Sequence, residues 1–306
     1  MINGVLNIYK EKGYTSHDVV AKLRGIVGQK KIGHTGTLDP DAEGVLPVCL
    51  GKATKLCDML TDQTKVYETV LLLGTVTDTQ DLSGTILETK DTYGLSREEV
   101  SRCIRDFEGD YDQIPPMYSA LKVNGRKLYE LAREGRTIER TPRRVRIYAI
   151  RILEVDLPRV RMQVECSKGT YIRTLCHDIG EKLGCGGCME QLVRTKTGPF
   201  ERKDSLTLTQ VEEYRRSGRF REILIPVDAL FADHKAVTVK KMFEQSAYNG
   251  NELGADQVIN DTALPEGEQV RVYDCEAHFV GIFRYHEKQK KYTVEKMFLD
   301  QEEIKG

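Results

Sequence analysis

The sequence predicts an α+β fold with a mixed, largely antiparallel sheet, followed by a small C-terminal β-barrel. Three observations carry that prediction. Strand-like and helix-like stretches follow one another without the regular strand–helix–strand repeat of a parallel sheet. The strongest strand pattern, 65–73, is β-branched and apolar, with Tyr67, Thr69, Leu71 and Leu73 on one pleat face. From about Val237 the texture changes to short apolar runs separated by turn residues, Asn249-Gly250-Asn251 and Pro265-Glu266-Gly267. A chain of 306 residues suits roughly two domains, and the boundary is expected near 229–236.

In chain order, 4–9 is a short apolar strand, and Thr15-x-x-Asp18 has the form of a capping box opening a helix. Val19, Val20, Leu23, Ile26 and Val27 share one helical face, Gly28 stops it, and His17 falls on the exposed first turn. Residues 45–50 read as a buried strand and 53–60 as a short helix. Further strands are expected near 85–89, 118–123, 145–155 and 159–166. Further helices are expected near 97–107, 126–134, 171–183 and 209–216, the last opened by Thr209-x-x-Glu212.

Composition narrows the function classes. With 40% apolar and 30% charged residues the chain is neither disordered nor collagen-like. No apolar run approaches the roughly 20 residues needed to cross a bilayer, and the N-terminal stretch lacks a secretion-signal pattern. The expectation is a cytoplasmic protein with no membrane partner. Its eight cysteines then read as reduced thiols, because Cys185-Gly-Gly-Cys188 has metal spacing but no second pair near it in sequence. Net charge is −1, yet residues 122–151 carry ten basic side chains against three acidic ones. Such a window is either a solvated face or a phosphate-gripping surface; its arginine preference favours phosphate.

Chemistry concentrates in Gly33-His34-Thr35-Gly36-Thr37-Leu38-Asp39-Pro40-Asp41-Ala42-Glu43-Gly44, a loop with a tightly specified backbone. A calcium loop would need Glu where Leu50 stands, and a phosphate loop ending at Gly51-Lys52 would need Gly at 46 and Ser or Thr at 53, where Leu46 and Ala53 stand. Both fail. One or more carboxylates on a constrained loop remain, or an Asp39 that merely caps a turn. A second feature is Arg173 in the first turn of the 171–183 helix, where a cation opposes the helix dipole. Either it faces solvent or a carboxylate compensates it. Asp39 would gain from that pairing, which lowers an aspartate pKa by roughly 1 to 3 units.

At these residues the sequence resembles the TruB family of tRNA pseudouridine synthases, stand-alone enzymes that isomerise the T-loop uridine. Four blocks carry the resemblance: Gly33 to Pro40 with Gly44-Val45-Leu46-Pro47; Lys65-Val66-Tyr67 through Gly74, Thr77-Asp78-Thr79, Asp81 and Gly84; Pro115 to Lys122 with Gly125, Tyr129 and Ala132-Arg133-Glu134-Gly135; and Ser167 to Arg173 with Leu192. The resemblance implies a pseudouridine-synthase catalytic domain over 1–229, with an RNA-gripping insertion at 115–145, and a PUA-like barrel over 237–306. It implies Asp39 as nucleophile, Tyr67 as the ring stacked on the flipped uracil and a candidate for handling the C5 proton, and Arg173 as the ion-pair partner of Asp39. Tyr171 and Leu192 would line the pocket, His34 would fill the space the base vacates, and Lys122, Arg143 and Arg144 would hold RNA. The partner implied is the tRNA T-arm, taken by a monomer needing no protein partner, cofactor or metal. The tail from Thr238 on carries nine basic and thirteen acidic residues, so an RNA contact there must be local. A guide-RNA-dependent dyskerin-type synthase, a non-catalytic RNA-folding module and a metal-dependent nuclease using Asp39, Asp41 and Glu43 are the alternatives.

Overall fold

The computed structural model describes residues 1–123, 125–259 and 264–299. The first part of the chain runs β1 (Gly4–Lys10), α1 (Ser16–Val27), β2 (Ile32–His34), β3 (Glu43–Leu50), a 3₁₀ turn leading into α2 (Cys57–Thr61), β4 (Lys65–Leu73), β5 (Thr75–Thr77) and β6 (Ile86–Thr89). It continues through α3 (Arg97–Arg105), β7 (Gly109–Gln113), β8 (Lys122–Val123), β9 (Arg126–Lys127), α4 (Leu128–Arg133), β10 (Arg143–Asp156), β11 (Arg159–Cys166), α5 (Ile172–Lys182), β12 (Gly187–Thr197), β13 (Phe200–Glu201) and α6 (Leu208–Arg216). The last part holds β14 (Lys235–Val239), α7 (Glu244–Tyr248), β15 (Leu253–Gly254), β16 (Val258–Ile259), β17 (Gln269–Tyr273), β18 (Phe279–His286) and β19 (Lys291–Met297).

A nine-stranded sheet in the order β1-β3-β12-β4-β11-β10-β7, with β2 beside β3 and β13 beside β12, forms the large body. Its neighbours are antiparallel except β3 and β12, which run parallel where Glu43 and Gly44 meet Val193 and Arg194. The α+β expectation therefore holds. Helix α1 begins at the Thr15–Asp18 capping box and ends at Gly28 in the left-handed conformation, as its sequence required. Strand β3 is buried on both faces, which explains its unbroken apolar run. Leu46, Val48 and Leu50 pack under α1 and α6, while Val45 and Cys49 join Phe231, Ile282 and Phe298 at the seam with the C-terminal sheet. Strand β4 alternates as predicted, and its Tyr67 and Leu71 pack with Ile172, Leu175 and Ile179 of α5.

The C-terminal sheet, ordered β15-β19-β18-β17-β14-β16, wraps into a near-closed six-stranded barrel around Val237, Val270, Val272 and Phe283. No helix among the described residues is long and apolar enough to cross a membrane.

Two local expectations are corrected, and one strand was not anticipated. Of the strand expected at 118–123, only Lys122–Val123 pairs, as a short ribbon with Arg126–Lys127, because the Tyr118 carbonyl is taken by Arg173 and Ser119 N–H turns back to Met117. The box opening α6 is Thr207 with Gln210, two residues earlier than Thr209 and Glu212. That strand, β12, lies inside the sheet between β3 and β4, yet its sequence does not alternate: register shifts at Met189/Gln191 and Arg194/Lys196 break the two-residue period.

Candidate active site

The loop between β2 and β3 is fixed from several directions. Ser16, buried in the first turn of α1, accepts the Leu38 N–H at 2.9 Å. Thr35 N–H bonds the Pro47 carbonyl at 3.1 Å, and Ala42 N–H turns back to the Asp39 carbonyl at 3.1 Å. Lys10, fully buried, spends its ammonium on the carbonyls of Tyr14 (2.6 Å), Pro40 (3.1 Å) and Glu11 (3.2 Å). Burial brings its pKa down to about 8, while Glu43, Asp39 and Asp41 resist that fall. Gly44 closes the loop at φ +112°, where a Cβ would lie 2.2 Å from the Arg194 carbonyl oxygen. Leu38 and Ala42 point into the core, leaving Asp39 partly exposed in the cleft it shares with Arg173 and Tyr67.

Arg173 does not face solvent. Its side chain is only 6% exposed, and its Nε meets Asp39 Oδ2 at 3.1 Å while Nη1 meets Asp81 Oδ2 at 3.4 Å. The remaining donors reach the carbonyls of Thr79 (3.1 Å) and Tyr118 (2.9 Å), so helix α5, the β5–β6 connection and the 115–121 stretch converge on one guanidinium. Asp81 is itself held by the hydroxyls of Thr79 (2.7 Å) and Ser83 (2.5 Å). This geometry corrects the expected sign of the Asp39 shift. Burial against the cleft walls raises its pKa, Arg173 lowers it and Asp81 raises it again, leaving the net direction upward. Its side chain keeps 42% of its surface open at the cleft mouth, so water moderates each of these effects.

Tyr67 stands on β4 with its body in the core beside Leu38 and Leu192. Burial raises its pKa, opposed by the Arg194 guanidinium, and the Asp39 carboxylate lies within electrostatic reach. His34 accepts the Gly36 N–H on Nδ1 at 3.3 Å, which leaves the proton of the neutral ring on Nε2. Burial, then His17 and Arg194, lower the His34 pKa. His17 is exposed as expected, with its ring edge-on to His34 at 5.3 Å. The backbone of Tyr171 is gripped by the Gln113 side chain, which accepts its N–H at 2.8 Å and donates to its carbonyl at 3.0 Å.

Residues 24–172 match the model of the TruB family pseudouridylate synthase N-terminal domain, and 173–232 match that of the tRNA pseudouridylate synthase B C-terminal domain. The chain belongs to the TruB family. It is 54% identical to a tRNA pseudouridine synthase B of Lachnoclostridium phytofermentans, over 97% of this chain and all of that one. It is 44% identical to the same-named protein of Clostridium acetobutylicum, over 92% and 95% of the two chains. Among solved structures, a Cbf5-Nop10-Gar1 complex aligns with TM-score 0.71 at 28% identity, over 98% of this chain and 86% of that one. A chain of an H/ACA RNP bound to a substrate RNA aligns at 0.70 and 26%, over 97% and 86%. The higher identity is thus to the tRNA enzymes, and this chain is a pseudouridine synthase, an isomerase.

For a TruB-family chain the basic window divides unexpectedly. Lys122 is exposed on β8. Arg143 and Arg144 are neighbours on β10, so they leave opposite faces of the sheet. The charge of Arg143 reaches Tyr171 in the cleft. Arg144 is 68% exposed but bonds Asp110 at 3.1 Å and lies 4.0 Å from Asp112, with Arg146 also on Asp110.

Sequence reasoning missed Lys10 and Arg194, which stand among other charged residues (Glu11 and Lys12; Glu190 and Lys196) and so carried no sign of burial, and it missed four lysines at the seam between the two sheets. Lys55 donates to the Met297 carbonyl at 2.8 Å. Burial lowers its pKa, followed by Lys52, Lys31 and Lys296. Those charges come from the turns flanking β2 and β3 and from β19, far apart in sequence, which no local pattern reveals.

Proposed function

We infer that the cleft between Asp39, Tyr67 and Arg173 is where a flipped uracil is isomerised. The chain is a tRNA pseudouridine synthase that converts the T-loop uridine at position 55 to pseudouridine. The Arg173–Asp39 ion pair carries the reading: a nucleophile must be an anion, and a buried guanidinium with its other donors fixed on carbonyls holds the carboxylate ionised and aimed. A base inside folded RNA is inaccessible, so it leaves its stack at a cost of about a few kcal/mol. Tyr67 supplies a face to stack on, Leu192 and Tyr171 line the pocket, and His34 fills the vacated space. Breaking the glycosidic bond, turning the uracil and joining C5 to the sugar is redox-neutral and consumes no water, so the chemistry calls for neither an electron carrier nor a metal.

The T-arm would lie across the rim formed by Lys122 and Arg143, with Arg144 the weakest of the expected contacts. The lysines Lys31, Lys52, Lys55 and Lys296 form a second phosphate-binding surface, which is the local contact that an acidic tail still allows. The reading takes 1–229 as the catalytic domain, with the 115–145 insertion, and 237–306 as a PUA-like domain, in a monomer that needs no partner protein. The test is tritium release from a tRNA transcript labelled at uracil C5, with Asp39→Asn and EDTA as controls. Release should require Asp39, ignore EDTA and need no guide RNA, while Asp39→Asn keeps tRNA affinity. Substantial release by Asp39→Asn would overturn the assignment.

A further inference from the structure

Arg194 is one of the largest fully buried side chains in the molecule, 1% exposed, on the interior strand β12. Burying a guanidinium is costly unless its donors are satisfied, and no carboxylate among the described residues lies within ion-pair distance of it. Its donors go to backbone carbonyls: Nε to Val45 at 2.7 Å and Nη2 to Gly36 at 3.2 Å. Those two residues are the shoulders of the loop that carries Asp39. The backbone of Arg194 pairs with Gly44 on one side and with Tyr67 on the other. The charge of its guanidinium also acts on the Tyr67 hydroxyl, opposing the rise that burial causes in its pKa. A methionine or leucine would fill this volume without the desolvation cost, so packing alone does not account for a cation here.

We propose that Arg194 is a positioning residue for the isomerisation, locking both shoulders of the Asp39 loop to the strand that bears Tyr67 and orienting the Tyr67 hydroxyl. The proposal rests on the roles assigned to Asp39 and Tyr67 above. Its positive charge also stabilises whatever negative charge gathers on that hydroxyl while a proton is moved. Lysine in its place would keep the charge but lose the fork that spans both carbonyls beside the phenol.

The experiment is a double-mutant cycle of Arg194→Lys and Tyr67→Phe, read as single-turnover tritium release with saturating enzyme, alongside tRNA affinity by filter binding. Arg194→Lys should slow the chemical step about 10- to 100-fold with affinity changed less than about twofold, and in the Tyr67→Phe background it should add less than about threefold. Equal losses in both backgrounds would overturn the proposal while leaving the Tyr67 reading standing. Full activity in Tyr67→Phe alone would remove the hydroxyl from the chemistry, and the proposal with it, while the Asp39 assignment remained. Arg194→Gln, which keeps an amide donor for one carbonyl, is the second variant. Loss of folded protein in both variants would make Arg194 architectural and overturn the proposal as well.

Discussion

Replacing Arg173 with methionine should move the acid limb of the rate profile to higher pH. The active form of Asp39 is the carboxylate, so the rate falls as pH drops through its pKa. That pKa already sits above the ordinary aspartate value because the cleft walls desolvate it, and Arg173 is the largest influence holding it down. A unit charge at the 3.1 Å separation seen here, widened to about 4 Å between charge centres, contributes about 4 kcal/mol at an effective dielectric of 20. The 42% exposure of Asp39 calls for a discount to about 1.4–2.7 kcal/mol, or about 1–2 pH units. Asp81, no longer compensated, pushes in the same direction. The assay is single-turnover tritium release between pH 5 and 8.5, with Arg173→Lys as the charge-retaining control. An acid limb that stays at the wild-type pH in Arg173→Met, as in Arg173→Lys, would refute the electrostatic role and leave Arg173 as a structural tie.

Other outcomes follow from the same geometry. Arg143→Gln should weaken tRNA binding and reduce the salt slope by about 1, whereas Arg144→Gln, already engaged with Asp110, should change the slope little; equal slopes by filter binding would return both to one surface. Tyr67→Leu should lose far more single-turnover rate than Tyr67→Phe if the ring acts by stacking, and equal losses would assign the work to the hydroxyl. Lys55→Glu should reverse the charge at the centre of the seam cluster and lower tRNA affinity at least about tenfold at low salt, with thermal melting showing an intact fold; unchanged affinity would leave the seam lysines as a solvated face.

Much of this protein was legible in its sequence because the signals are local. The Thr15–Asp18 box, the Gly28 stop, the alternation of β4 and the turn-rich barrel each depend on residues a few positions apart. The Gly33–Gly44 loop announced itself by glycines, carboxylates and a proline packed into twelve positions. Arg173 was identifiable as a cation out of place at a helix start, and Asp39 as the group that would gain from it. Strand β12 was not legible, since two bulges erase its period and its burial comes from strands far away in sequence. The sign of the Asp39 shift, the split of Arg143 from Arg144 and the two-carbonyl tie made by Arg194 were decided only by tertiary structure. Each depends on a sum of through-space terms or on the side of a sheet a residue faces, and neither is fixed until strands pair.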